Sequence, residues 1–310
     1  MRLRETPAIA RWTTRVALFS CILALVALVG HRFGPMPTVT AFNLLIIAVV
    51  GAILALLLGL AASAVIWREG STGALRVTLG MMMALALIGW PLTFLSALRN
   101  LPAINDVTTD TNAPPRFVDV IKQRGPGANS ANYPVQFAKL QADAYPDLKP
   151  MFIERPAEEA FEIAREAVFR QKMTIVREQP PENAPGHPGA IEAVDRTPIL
   201  GLYDDVAIRV EGDNVRSRID LRSASRFGRH DLGRNAERMR RLMREIVARL
   251  EATVPSATGE SYVKWRKRGQ RQIVKHALDA VRKPKPGDAS KETTKEDTPR
   301  KEQKRSRQQE

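Results

Sequence analysis

The stretch "YDDVAIRVEGDNVRSRIDLRS" (residues 203–223) decides how the second half of the chain folds. Val206, Ile208 and Val210 alternate with Ala207, Arg209 and Glu211. Val215, Ile219 and Leu221 alternate with Arg216, Arg218, Asp220 and Arg222. Successive side chains of a strand point to opposite faces, so each run carries one apolar and one charged face. Two such runs around "EGDN" predict an antiparallel hairpin with its apolar face inward. Two registers keep that parity. If Gly212-Asp213 forms the loop, Asp205 faces Asp220 and Arg209 faces Arg216, both repulsive. If Asp213-Asn214 forms it, Glu211 faces Arg216, Asp205 faces Arg222 and Ile208 meets Ile219, with one Arg209–Arg218 clash. Opposed charges across a ladder differ from like charges by roughly 1 kcal/mol per pair. Asp and Asn also tolerate the left-handed backbone of a tight hairpin turn, so the second register is expected.

Working outward, "PAEEAFEIAREAVFRQKM" (156–173) has apolar residues at 160, 161, 164, 168 and 169 and acids in its first turn. That is an amphipathic helix opened by Pro156 and matched to its dipole. "MTIVREQ" (173–179) and "AIEAVDRT" (190–197) read as strands on either side of a Pro/Gly loop. In "DLGRNAERMRRLMREIVARLEATV" (231–254), Leu232, Ala236, Met239, Met243, Ile246 and Leu250 form one stripe. Asp231 is the expected N-cap, and the basic residues are placed on the opposite face. Residues 101–150 are rich in Pro, Asn, Gly and Asp and read as irregular, with one short strand near 104–109. The order helix, four strands, helix predicts an α+β domain of two layers, a mainly antiparallel sheet covered by two helices.

Before this domain lie three apolar runs, 16–30, 41–67 and 74–98. The second is long and uncharged enough to cross about 30 Å of hydrocarbon, the third nearly so with Arg76 near one end able to snorkel, and Trp12, Thr13 and Thr14 can lengthen the first. No small-x-small cleavage pattern precedes "HRFGPMP", so the first run is expected to stay attached. Gly51, Gly59 and the alanines allow close helix packing, and Trp90 before Pro91 marks an interfacial position or a kink. Arg2, Arg4, Arg11, Arg15, Arg68 and Arg76 lie on one side of the spans, against Arg32 and Arg99 on the other. The positive-inside rule then puts the N-terminus in the cytoplasm and everything beyond residue 100 outside, periplasmic for an inner-membrane protein. No ionisable residue lies deep in a span, which argues against a transporter or proton path. The chain divides into a membrane domain (1–100), a soluble domain (101–252) and a basic C-terminal region (253–310).

The net charge of +14 invites a nucleic-acid reading, but its distribution argues against one. Residues 1–100 carry 8 Lys/Arg against 2 Asp/Glu, residues 253–310 carry 16 against 8, and residues 101–252 carry 23 of each. A domain that neutralises nucleic-acid phosphates should itself be basic, so no nucleic-acid partner is expected. In the C-terminal region "SYVKWRKRGQRQIVKHALDAV" (261–281) is basic and amphipathic, suited to an anionic envelope polymer or lipid. The Lys/Glu-rich 283–310 cannot bury a core. Cys21, the sole cysteine, can form no intrachain disulfide, and the four histidines lack metal-ligand spacing. No metal or cofactor is expected.

Asp204-Asp205 looks like a catalytic carboxylate pair, but adjacent strand residues point to opposite faces and cannot share one substrate. Asp195 with Arg196 could line a pocket at a strand end. His230 beside Asp231 could serve as a general base, although a helix-entry loop residue is the simpler reading. "RGPGANSAN" (124–132) lacks the Lys and the strand-to-helix context of a phosphate loop. Arg226, Arg229 and His230 in "SASRFGRHD" have no evident partners.

"INDVTTD", "IEAVDRTPILGLYDDVAIRV" and "RIDLRSASRFGRHDLGRNAERM" occur in that order. They resemble the hallmark blocks of the domain of unknown function 1499 family over about residues 101–252. Many members carry a cysteine in a Pro-Asn-Cys segment that this chain lacks, so no thiol role carries over. The resemblance implies a fold and no mechanism. Its motif positions are Asp195, Arg196, Asp204, Asp205, Arg209, Asp220, Arg222, Ser223, Ser225, Arg226, Asp231 and Asn235.

The expected function is an extracytoplasmic binding or interaction module anchored in the bilayer of a bacterial envelope. Its ligand surface would be the charged hairpin face and following loop: Asp195, Arg196, Asp204, Asp205, Arg222, Arg226, Arg229, His230, Asp231 and Asn235. The alternatives are a hydrolase-type enzyme using Asp204 or Asp205 with His230, and an accessory subunit with membrane-protein partners.

Overall fold

Three long apolar helices open the chain: α1 (Ala8–Phe33), α2 (Thr38–Glu69) and α3 (Ala74–Leu92). The computed structural model describes residues 5–182 and 187–253; the expected basic segment and tail lie outside them. All three helices are long and apolar enough to cross a membrane, the third counted through the short helix α4 (Leu95–Asn100). Pro91 ends α3, and Thr93 and Phe94 donate three residues back, to Trp90 and Pro91, so the chain bends there. Small residues make the helix contacts. Ala48, Ala52, Ala55, Gly59 and Ala62 are buried on α2, against Ala10, Thr13, Ala17 and Ser20 on α1 and Val77, Gly80 and Ala84 on α3. Their alternating three- and four-residue spacing is a heptad seam of small side chains, which lets backbones approach closely where lipid offers no hydrophobic drive. A Cβ on Gly80 would stand 3.2 Å from the Thr14 backbone. Leu18, Phe19, Ile46, Ile47 and Leu57 point outward, as lipid-facing side chains do.

The soluble domain is built on an antiparallel sheet. Its strands are β1 (Asp106–Thr108), β2 (Met151–Ile153), β3 (Thr174–Gln179), β4 (Gly189–Arg196), β5 (Tyr203–Gly212) and β6 (Ser217–Ser225). The order is β1-β6-β5-β4-β3, with β2 also on the outer edge of β6. Helices α6 (Ala157–Arg170) and α7 (Arg234–Ala252) cover one face. Phe161, Ala164, Met239, Leu242 and Ile246 pack there on Ile191, Val206, Ile208, Val210, Ile219 and Leu221. The α+β class and two covering helices match the sequence reading. A further short helix, α5 (Phe137–Ala144), lies in the segment read as irregular. It is pinned by Gln141, whose side chain bonds both the N–H and C=O of Thr108.

The hairpin register differs from both expected ones. Gly212 pairs with Ser217, Ile208 with Leu221, Arg209 with Asp220 and Glu211 with Arg218. The loop is therefore the four residues Asp213–Arg216. The Asp213 carboxylate accepts the N–H groups of Val215 and Arg216, both at 2.7 Å, and closes the turn. Shifting the pairing by two residues preserves the inward apolar set and turns the Arg209–Arg218 clash into two opposed-charge pairs. Val215 moves into the turn and is exposed.

The charged face is also not a free surface. The segment running from Thr109 to Tyr133 lies over it, with Phe117 and Val120 packed on Val194, Ala207 and Ala224. Its turn at Val120–Gln123 is held by buried Glu192, which accepts the N–H groups of Val118, Asp119 and Val120 at 2.8–3.0 Å.

Candidate functional site

On the helix-covered face, Asp195 and Asp204 stand directly opposite each other on β4 and β5. Two like charges at a paired position repel, and Arg238 of α7 resolves the repulsion. Its Nε donates to Asp195 at 2.7 Å, its Nη2 to Asp204, and its Nη1 to Asn235 Oδ1 at 2.7 Å and Ser223 Oγ at 3.0 Å. Asn235 in turn donates to Ser225 Oγ and the Asn105 carbonyl, both at 3.0 Å. Arg238 is 1% exposed, so the basic residues of α7 do not all face outward as expected. It follows Asn235 by three residues and precedes Leu242 by four, which places it on the buried face. The two carboxylates raise its pKa against the opposing effect of burial.

The N-cap position of α7 is Gly233, two residues after the expected Asp231, whose two oxygens accept the N–H groups of Gly233 and Asn235 at 2.8 and 2.9 Å from outside the helix. The tight entry holds Leu232 at a φ of +58°, outside the stripe assigned to it. Burial raises the Asp231 pKa against those two hydrogen bonds. His230 accepts the Leu232 N–H at Nδ1 and bonds the Leu101 carbonyl through Nε2, at 3.2 Å. It acts as the helix-entry residue. Among the described residues no hydrogen bond joins it to Asp204 or Asp205.

Asp205 leaves β5 on the other face, as strand geometry requires. It is 0% exposed and shared by two arginines: Arg124 Nε at 2.8 Å and Arg226 Nε at 2.8 Å. Nearby, Arg222 grips Asp106 bidentately at 3.0 and 2.6 Å, donates to the carbonyls of Pro115 and Ala131, and stacks on Phe117. Burial pushes the Asp106 carboxyl up, opposed by the hydrogen bond and charge of Arg222. Further out, Asp110 and Asp220 together pair Arg209 and Arg218. The N–H groups of Ala113 and Asn112 with Arg218 hold Asp110 below the usual carboxylate range, against the upward push of burial.

Arg196 does not pair with Asp195. It donates to the carbonyls of His31 at 3.1 Å and Arg32 at 2.6 Å, which end α1, and to Gly201 at 3.1 Å. A cation there complements the negative end of the helix dipole. The loop Thr197–Leu202 drops Leu200 and Leu202 against a cleft between α1 and α2 lined by Ala27, Leu28, Phe42 and Leu45. His31 closes the joint, with its ring between the Leu200 carbonyl (2.6 Å) and Thr38 Oγ1 (2.9 Å). A Cβ on Gly127 would lie 3.3 Å from Val39 of α2. The strand ends bearing Asp195, Asp204 and Ser225 therefore face the helical bundle.

The ten sequence candidates thus separate into the α7 cluster (Asp195, Asp204, Asp231, Asn235), the opposite cluster (Asp205, Arg222, Arg226), the bundle joint (Arg196) and the α7 entry loop (Arg229, His230). The structure adds Arg238, Arg124, Asp106, Glu192 and His31. Arg238 and Glu192 were visible as charges within buried periodicities. The partners Asp106 and Arg124 are about a hundred residues away and left no local signal. Among the described residues no group of His, Cys, Asp and Glu converges as a metal site. Nearly every candidate spends its polar atoms on another part of the chain, an arrangement suited to holding surfaces in place.

Among curated proteins none matches the chain. The solved structure of CalU16 from Micromonospora echinospora is similar over 43% of this chain and 81% of that one, at 10% identity and a TM-score of 0.18. That likeness is too low to bear on fold or function. Residues 106–246, from β1 into α7, match the family described as protein of unknown function (DUF1499). The soluble domain of this chain belongs to that family.

Proposed function

We propose that the chain is a membrane-anchored binding or interaction module of the bacterial envelope, with its N-terminus in the cytoplasm and its soluble domain in the periplasm. The observation that carries this reading is the joint. Arg196, the Thr197–Leu202 loop and His31 seat the domain on the bundle end formed by residues 31–38. That end has two arginines beside the spans, against six at the other. The hydrolase alternative gains no support, because Asp204 and Asp205 diverge and both are bound to arginines. An accessory-subunit role draws on a different observation: only 6% of the apolar window of the third span is buried, which leaves it open to another membrane protein.

Helix α7 starts beside Leu101 and runs about 28 Å, at 1.5 Å per residue, to an end held by Arg155, next to the hairpin tip. Thr253, where the described residues end, lies at the end of α7 away from Leu101, and an envelope partner is the ligand proposed for the basic region 253–310.

A phosphatase reporter fused to the C-terminus is expected to be active and a β-galactosidase fusion inactive. The reverse pattern would overturn the orientation.

A further inference from the structure

The arginines of residues 217–242 divide by position. Arg218, Arg222, Arg226, Arg238 and Arg240 are each paired with carboxylates. Arg229 and Arg234 are exposed, with no carboxylate partner among the described residues. Both are tied to the exit of the third span. Gly228, before Arg229, accepts a hydrogen bond from Asn105 at 2.6 Å, and His230, after it, bonds the Leu101 carbonyl. Gly233, before Arg234, packs on Leu101 so closely that a Cβ would stand 2.8 Å from its side chain. Arg99, also exposed and unpaired among the described residues, lies in the last turn of α4, two residues before Leu101. Three exposed arginines without carboxylate partners among the described residues are therefore carried by backbone segments that meet at Leu101–Asn105, where the chain leaves the third span.

Apolar side chains are exposed at the same level. Leu95 and Leu98 project from α4, 38% and 49% exposed. A mixture of free cations and exposed aliphatic groups at the end of a span suits the headgroup layer, where the aliphatic part buries and the guanidinium meets phosphate. Arginine also offers the planar fork that binds a phosphate bidentately. Burying these arginines against another protein surface would instead require carboxylates from that partner.

We infer that this rim, Arg99, Arg229 and Arg234 with the exposed Leu98 of α4, is a binding site for the phosphodiester headgroups of anionic phospholipids. The loop that carries Arg229 and His230 would thereby touch its ligand through Arg229, while His230 positions the loop. The inference goes beyond the proposed orientation and does not depend on it, because the rim meets a headgroup layer whichever leaflet that is.

The test uses the full chain in nanodiscs of phosphatidylcholine with or without phosphatidylglycerol, which present the anionic lipid in both leaflets. Preference for phosphatidylglycerol is read by native mass spectrometry of retained lipids, and amide exchange of residues 226–234 is read in the same discs. A basic residue near an anionic surface contributes about fivefold, equivalent to ~1 kcal/mol. The R99Q/R229Q/R234Q variant is therefore expected to lose its preference by tenfold or more, and R216Q, at the far hairpin tip, to keep it. In the unaltered chain the 226–234 amides are expected to exchange more slowly in phosphatidylglycerol discs. Equal retention of the two lipids by the unaltered chain, or an undiminished preference in the triple variant, would overturn the site. Because neither readout senses sidedness, such a failure would leave the proposed orientation standing.

Discussion

Replacing Arg238 by methionine is expected to destabilise the soluble domain by about 3–5 kcal/mol, the usual cost of removing one partner from a buried ion pair. The loss is large because Arg238 serves two carboxylates that stand opposite each other, and its removal leaves Asp195 and Asp204 facing across the β4–β5 ladder. Neutralising the carboxylates as well, in R238M/D195N/D204N, should restore at least half the loss, since burying an amide costs far less than burying an unpaired charge. Hydrogen exchange of the β5 and β6 amides in the full chain measures both variants. A triple variant no more stable than Arg238→Met would show that the charges are not what the cluster balances.

Asp205→Ala is expected to cost at least as much, about 3–5 kcal/mol or above, because two cations lose their counter-charge at once. Arg124 and Arg226 are both buried, and Asp205 supplies a separate oxygen to each. Arg124 belongs to the segment that lies over the sheet and Arg226 to the loop after β6. The carboxylate therefore joins three pieces of chain, and its loss should free the 109–133 segment first. The surface pair Glu162–Arg165 provides the scale: both side chains are about half exposed, and such pairs contribute about 0.2–1 kcal/mol. Arg165→Ala is thus expected to be near neutral in the same exchange measurement. Asp205→Ala falling within that small range would show that the cover is held by its apolar contacts, Phe117 and Val120, and not by the ion pairs.

The elements of this fold were legible where one periodicity decided them. Three spans, the α6 and α7 helices, the β3 and β4 strands and the inward parity of the hairpin all follow from the spacing of apolar residues. The hairpin register failed for a specific reason. Only two-residue loops were compared, although the criterion used, opposed charges across the ladder, selects the observed four-residue loop once Asp213 is allowed to close it through its side chain. Alternation places the charges of 203–223 on one face, and from sequence alone that face reads as a surface. Its cover comes from a Pro/Asn/Gly segment with no periodicity, held by Glu192, Asp205 and Arg222 across long sequence separations. The site candidates were accordingly found as residue types but not as groups. Spacing reports which face a side chain takes, while Asp195, Asp204 and Arg238 meet only once β4, β5 and α7 are packed.

The domain is seated on the membrane bundle through loops at one end of its sheet, where the Asp195–Arg238–Asp204 cluster also lies. The contact between Val39 of α2 and the Gly127 turn reports this most directly, since a Cβ on Gly127 falls 3.3 Å from Val39 Cγ2, within reach of disulfide geometry. In a chain with Cys21→Ala, the pair Val39→Cys and Gly127→Cys is expected to cross-link on mild oxidation in the membrane, read as a mobility shift that reductant reverses. Two cysteines that both react with a maleimide yet form no intramolecular bond would contradict the docked arrangement.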